Sequence, residues 1–345
     1  MRWMPAPAVL FLALSTFWST AHAELDPLSD AAVAEFSALP ADPEPESLTR
    51  NSHYWVSNEN ALELFAPHLE GRGGVLLGVG TDQNFIFAAW ARAEVLILMD
   101  FDQAIVDLHR VYAVAFAGAA DVSAFLAFWQ PENVDSSRSA IEVTYGEGRQ
   151  RRAALRAYKT ARHAVSNRLL KVKLHLASVG RSSLFDDPAQ YLHVKALFAS
   201  RRVFAVRGDL TAGATVTAIG RALKSLGLHV GAYYPSNAEQ YFDFTPQYRA
   251  NILALPMNDR SVVIRTLGWG KIYGRADATY HYNVQPGLNF QRFLEARRIK
   301  SAGHMLKWRT PSPTVGFSTF EKSPEERPTP GPKRGPRKSK KSQPD

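Results

Sequence analysis

The hydrophobic positions of this chain alternate between two patterns. Short, largely apolar runs occur at Val75–Val79, Val95–Met99, Val203–Val206, His229–Tyr233 and Ser261–Leu267. Runs of this length and density suit strands covered on both faces. Between them, apolar residues recur at helical spacing over Asn60–Leu69, Gln83–Arg92, Gln103–Ala117, Gly213–Leu226 and Tyr248–Leu255. Phe85, Ile86, Ala89 and Trp90 share one helical face, and Ile105, Leu108, His109, Tyr112 and Phe116 another. Strands separated by helices predict an α/β fold with a mostly parallel sheet and right-handed crossovers.

The rhythm breaks between Asp121 and Ser200, which reads as a helical, basic insertion or cap, with Ala189–Ala199 leading back into the sheet. Gly268–Phe320 mixes Gly, aromatics and Lys/Arg and gives no clear pattern. Glu24 to about residue 50 is rich in Ala, Pro and acids and reads as a loose lead-in to one domain over 51–321.

Composition adds a location. Arg2, an apolar stretch from Ala8 to Phe17 and Ala21-His22-Ala23 have the layout of a secretory signal peptide. This predicts export through a Sec-type signal to the periplasm or beyond. The chain has no cysteine, so such a fold must stand on its core without disulfides.

The formal net charge of +9 is uneven. Lys322–Asp345 carries eight Lys or Arg against three acids, many prolines and almost nothing apolar, which predicts a disordered basic tail. A second concentration runs from Arg149 to Arg181, with no acid between Glu147 and Asp186. Arg152, Arg156 and Lys159 share one helical face. Such a run is a solvated face, a partner for acids elsewhere, or a contact for an anionic membrane or envelope surface. The basic runs lack interleaved aromatics apart from Tyr158, which argues against nucleic acid.

In open α/β sheets, ligands sit beyond the carboxyl ends of the strands. The first strand ends in Gly78-Val79-Gly80-Thr81-Asp82-Gln83-Asn84, the second in Asp100 and Asp102, and the third in Gly208-Asp209. The fourth ends in Ser236-Asn237-Ala238-Glu239-Gln240-Tyr241. Gly78 and Gly80 allow a tight turn and close backbone approach. The helix opening near Gln83 and Asn84 offers free N–H groups. Asp102 suits the cap of the following helix, which leaves Asp100 as the acid for ribose hydroxyls. Glu239 and Tyr241 are the catalytic candidates, Glu239 as a general base if burial raises its pKa. Ser57, Asn58 and Glu59 form either a helix N-cap or a polar lip contacting substrate, together with Ser236, Asn237 and Gln240. His109 and Tyr112 lie on an apolar face and read as core.

The arrangement resembles the class I S-adenosylmethionine-dependent methyltransferases, over roughly Val75 to Leu267. The resemblance implies a doubly wound Rossmann-like core of methyltransferase type. It assigns Gly78 and Gly80 to the methionine part of that cofactor, Asp100 to the ribose, Asp209 to the adenine side, and Ser236 with Asn237 to substrate. The chain departs from the family pattern at Leu77, where an acid usually precedes the first glycine. Ser57-Asn58-Glu59, the Gly78–Phe85 turn, His109 with Tyr112, Gly208-Asp209-Leu210 and Ser236–Tyr241 are also similar to an uncharacterised group of exported or lipid-anchored bacterial proteins.

Other chemistries find no support. There is no His-Glu-x-x-His, no Gly-x-Ser-x-Gly and no phosphate-binding Gly-x-x-x-x-Gly-Lys loop, and no metal is expected. Three functions stand: an exported protein binding a small, nucleoside-like ligand, an S-adenosylmethionine-dependent methyltransferase, or a non-catalytic envelope protein attached through basic surfaces.

Overall fold

The structure, a computed structural model, describes residues 25–330. The signal-like segment and residues 331–345 of the basic tail lie outside the described residues. The strands are β1 (Val75–Val79), β2 (Val95–Asp100), β3 (Val203–Arg207), β4 (Val230–Tyr234), β5 (Val262–Leu267), β6 (His281–Pro286), β7 (Thr310–Pro311) and β8 (Phe317–Thr319). They form one sheet in the order β3-β2-β1-β4-β5-β6-β8-β7. The first five are mutually parallel; β6 runs antiparallel to β5, β8 parallel to β6, and β7 antiparallel to β8.

The fold is therefore α/β with a mixed sheet, where the sequence predicted a mostly parallel one. The difference lies in β6 to β8, inside the stretch that gave no pattern. In β6, Tyr282 and Val284 face one core, whereas Asn283 and Gln285 are buried on the other side. Buried amides interrupt the apolar run that marks a covered strand, so the signal fails.

Alternating strand residues build two cores. Leu76, Leu96, Leu98, Ala232, Tyr234 and Ile264 face one, and Leu77, Ile97, Met99, Tyr233 and Val263 face the other. Helices cover both faces, which is why β1, β2, β4 and β5 are almost wholly buried. The expected insertion is a layer of this architecture. Its 30-residue helix Arg149–Ser178 puts Ala154, Ala157, Tyr158, Ala161, Val165 and Leu169 into the first core.

Both ends of the domain are more ordered than the sequence suggested. The lead-in contains helix Asp30–Ser37, capped by the Ser29 hydroxyl and buried through Phe36. Asp42, only 1% exposed, accepts hydrogen bonds from the backbone N–H of Asp209, Ala214 and Thr215, and so caps helix Thr215–Ser225. At the other end, Trp308 Nε1 donates to Glu326 O (2.9 Å) and Thr329 N to Lys307 O (2.7 Å). The tail expected to lack structure from Lys322 is thus pinned through Thr329, by bonds to backbone atoms that composition does not reveal. Among the described residues, no helix is long and apolar enough to cross a membrane.

Candidate functional site

The turn after β1 is shaped by its own side chains. Asn84 folds back to donate from Nδ2 to Val79 O (3.1 Å). A Cβ on Gly78 would lie 2.0 Å from Asn84 Oδ1, so Gly78 makes room for Asn84 and not for a ligand. Gly80 has φ +90°, a conformation that favours glycine. Its carbonyl accepts from His109 Nε2 (2.9 Å), and Gln83 Nε2 donates to Val79 O (3.2 Å). Burial pushes the His109 pKa down to about 4, so this histidine is a neutral strut. Gln83 is 1% exposed and its Oε1 has no partner within the protein.

Beside this turn, β2 delivers Asp100. Burial raises its pKa to about 7, against backbone hydrogen bonds from Asp102, Gly80 and Phe101 that pull it down and the Asp102 charge that adds to the rise. Asp102 caps helix Gln103–Gly118 through Ala104 N (2.9 Å), as its position suggested. It also meets His53 Nδ1 at 2.7 Å. His53 belongs to a strap over residues 48–56, in which Arg50 and Asn51 both have positive φ (56° and 51°). Consecutive left-handed non-glycine residues are strained and favour functional segments.

Glu59 organises the opposite wall. It is 1% exposed, and its Oε1 accepts from Tyr234 OH (2.9 Å), Ser236 Oγ (2.8 Å) and Thr266 Oγ1 (3.0 Å), while Ser57 Oγ donates to Oε2. The expected N-cap role of Ser57 or Asn58 gives way to this hub, because a 3₁₀ turn starts only at Leu62. Ser236 sits at φ 55° just after β4, held by Glu59 and by Thr266 N, which donates to Ser236 O (3.2 Å). Next to it, Asn58 Nδ2 and Asn237 Nδ2 both donate to Tyr280 OH (2.8 and 2.6 Å). With its lone pairs taken, the phenol keeps its proton to donate. Burial pushes the Tyr280 pKa up to about 12, so the proton stays on at neutral pH.

Beneath this wall lies a buried ion pair. Arg168 from the long helix donates from Nε to Asp82 Oδ2 (2.9 Å), and also to Glu59 O (2.6 Å) and Asn60 Oδ1 (3.3 Å). The Arg168 and Asp82 side chains are 5% and 1% exposed. Asp82 Oδ1 in turn accepts from Ser57 N (2.8 Å). One arginine of the basic run is therefore a structural member of the site and not part of a solvated face.

The cleft bounded by these walls encloses about 260 Å³, small for a ligand pocket but in range for part of a ligand. Of the residues singled out in the sequence, Gly80, Gln83, Asp100, Ser57, Asn58, Glu59, Ser236, Asn237 and Tyr241 line it together. Five do not. Gly78 and Asn84 are spent on each other. Asp209 accepts from Thr211 N and Oγ1 (2.7 and 2.8 Å) in a local turn, away from the cleft. Gln240 Oε1 accepts from Gly268 N (2.7 Å). Glu239 points into the second core, where it pairs with Arg265 Nε (2.7 Å) and Tyr248 OH. Burial does raise its pKa, but with no access to the cleft it is not a general base there.

The sequence did not single out Tyr280, Arg168, His53 or the strap. Tyr280 lies within a patternless stretch, and Arg168 was hidden among other bases; only its place on the apolar face of its helix, between Val165 and Leu169, marks it out. Among the described residues, no group of three or more His, Asp or Glu is placed to hold a metal ion. No curated protein matches the chain. Residues 54–321, which contain the whole sheet and most of the cleft lining, match the model of a family described as a domain of unknown function, DUF7790, and the chain belongs to that family.

Proposed function

We propose that this protein binds a small nucleoside-bearing ligand in the cleft above β1, β2 and β4. The observation that carries the reading is Asp100, a buried carboxylate at the end of β2, facing a cleft beside the left-handed Gly80 turn. The chain runs from β1 outward to β2 and β3, then returns to place β4 on the other side of β1. Such a reversal of strand order opens the crevice in which doubly wound sheets bind ligands. Asp100 supplies acceptors for a ribose diol, Gln83 Oε1 a further acceptor, Tyr280 a donor, and the exposed rings of Tyr54 and Tyr241 supply stacking surfaces at the rim. In this reading the N-terminal signal sends the domain to the cell envelope, where the ligand is met.

A second reading, S-adenosylmethionine-dependent methyl transfer, is favoured by the parallel order β3-β2-β1-β4-β5 with Ser236 and Asn237 following β4. The residues fit the ribose part of that cofactor better than its amino-acid part. Leu77, which stands where an acid is usual in that family, is wholly buried in the second core.

Titration calorimetry of the purified protein with adenosine, S-adenosylhomocysteine and S-adenosylmethionine tests both. The expected result is binding that weakens at least about tenfold in Asp100→Ala, the scale of one lost charged hydrogen bond, and is unchanged in Asp209→Ala. Folded protein that ignores all three compounds refutes the nucleoside reading. Binding of adenosine without either sulfur compound refutes the methyltransferase reading alone.

A further inference from the structure

The long helix Arg149–Ser178 has an unpartnered face opposite the one that enters the core. Arg149, Arg152, Arg156, Lys159, His163, Asn167, Lys171 and Leu174 are all exposed and follow one another at steps of three or four residues, so they form one stripe. At about 1.5 Å per residue, the stripe from Arg149 to Leu174 is about 38 Å long. Its first half is basic at every step. Its second half adds exposed leucines, Leu170 at 38% and Leu174 at 69%.

Nearby acids do not neutralise the stripe. Glu142 pairs with Arg151 (3.5 Å), Glu63 with His175 (3.0 Å) and Glu70 with Arg181 (2.8 Å). All three partners lie off it. Helix stability does not explain the stripe either. The first turn carries Arg149, Arg151 and Arg152 and no acid, where the helix dipole favours negative charge.

We propose that this face docks on an anionic lipid surface, with the arginines and Lys159 over the headgroups and Leu170 and Leu174 at the acyl boundary. A basic stripe continued by exposed aliphatic side chains, on a helix lying flat along the protein, is the pattern of an interfacial helix. Nucleic acid fits less well because the stripe carries no Phe, Tyr or Trp for a base to stack on, and His163 is its one ring; Tyr158 is only 1% exposed, on the core side. The inference is independent of what the cleft binds.

The test is flotation of the full-length protein with vesicles of phosphatidylcholine alone or with about one third phosphatidylglycerol, at roughly 0.1 M salt. Binding is expected only to the anionic vesicles. The R152E/R156E/K159E variant should lose at least about 100-fold in partitioning, since each base near an anionic surface contributes about a factor of five and each introduced acid is repelled, with an unchanged circular dichroism spectrum. A variant ending at Pro330 should still bind, which separates the helix from the basic C-terminal segment. Three results overturn the proposal: no binding to anionic vesicles, undiminished binding by the charge-reversed variant, or loss of all binding on truncation alone. Capture of a single-stranded oligonucleotide in preference to the vesicles would assign the stripe to nucleic acid instead and equally overturn it.

Discussion

Replacing Arg168 by Met should destabilise the protein far more than replacing any base on the exposed stripe of the same helix. The guanidinium makes three contacts, to Asp82 Oδ2, Glu59 O and Asn60 Oδ1. Methionine keeps much of the apolar stem but leaves the Asp82 carboxylate, 1% exposed, without its countercharge. Removing one partner of a buried pair costs about 3–5 kcal/mol. Ser57 N and Thr81 Oγ1 still donate to Asp82 Oδ1, which favours the lower half of that range. With a urea dependence of about 3 kcal/mol per molar, the midpoint of unfolding should fall by about 1–1.3 M. The measurement is urea unfolding followed by tryptophan fluorescence and circular dichroism together, with Arg156→Met as the exposed control, expected within about 0.5 kcal/mol of wild type. Adding Asp82→Asn to Arg168→Met should recover part of the loss, because the stranded charge is gone. A midpoint shift for Arg168→Met no larger than the Arg156→Met shift would refute the buried-pair argument.

Three further outcomes follow from the same geometry. The Asp100 pKa is raised to about 7 in the fold from an ordinary value of 3.8, so the protonated form is favoured by folding. This contribution to stability is complete below about pH 3.8 and is lost as pH rises through 7. Relative to Asp100→Asn, wild type should therefore lose about 2.5 kcal/mol between about pH 5 and pH 8 in urea titrations, and a difference independent of pH would contradict this. Gly78→Ala should destabilise by about 1–3 kcal/mol through overpacking against Asn84, and Asn84→Ala in the same chain should relieve most of the strain; thermal melts of the three variants decide it. Asp42→Ala should cost about 2 kcal/mol, the upper range for a lost helix cap, because three backbone N–H groups lose their acceptor; hydrogen exchange at Ala214 and Thr215 should rise while that at β2 stays protected.

The legible parts of the site share one property. Gly80, Gln83, Asp100, Ser236 and Asn237 stand at or just after strand ends, and a strand's end can be read from where its apolar run stops. Glu239 shows where the rule fails. It stands after the same strand as Ser236 and Asn237, but a 3₁₀ turn over Ala238–Gln240 swings it into the opposite core, toward Arg265. A small difference in position thus becomes a difference of sheet face. Tyr280, Arg168 and His53 were illegible for another reason. Tyr280 lines the cleft, and Arg168 and His53 brace its walls, each from a segment distant in sequence; their partners Asn58, Asp82 and Asp102 are identified only once the chain is folded.

Local hydrophobic period is enough to give the five parallel strands and the helices between them, and the rule that ligands sit beyond strand carboxyl ends gives the end of the sheet at which the cleft lies. Tertiary structure alone decided the mixed edge of the sheet, the buried hub at Glu59, and which bases of the long helix face the core and which face outward. Those outcomes depend on pairing between distant residues in a low-dielectric interior, where a polar group is tolerated only if a partner from elsewhere in the chain arrives to meet it.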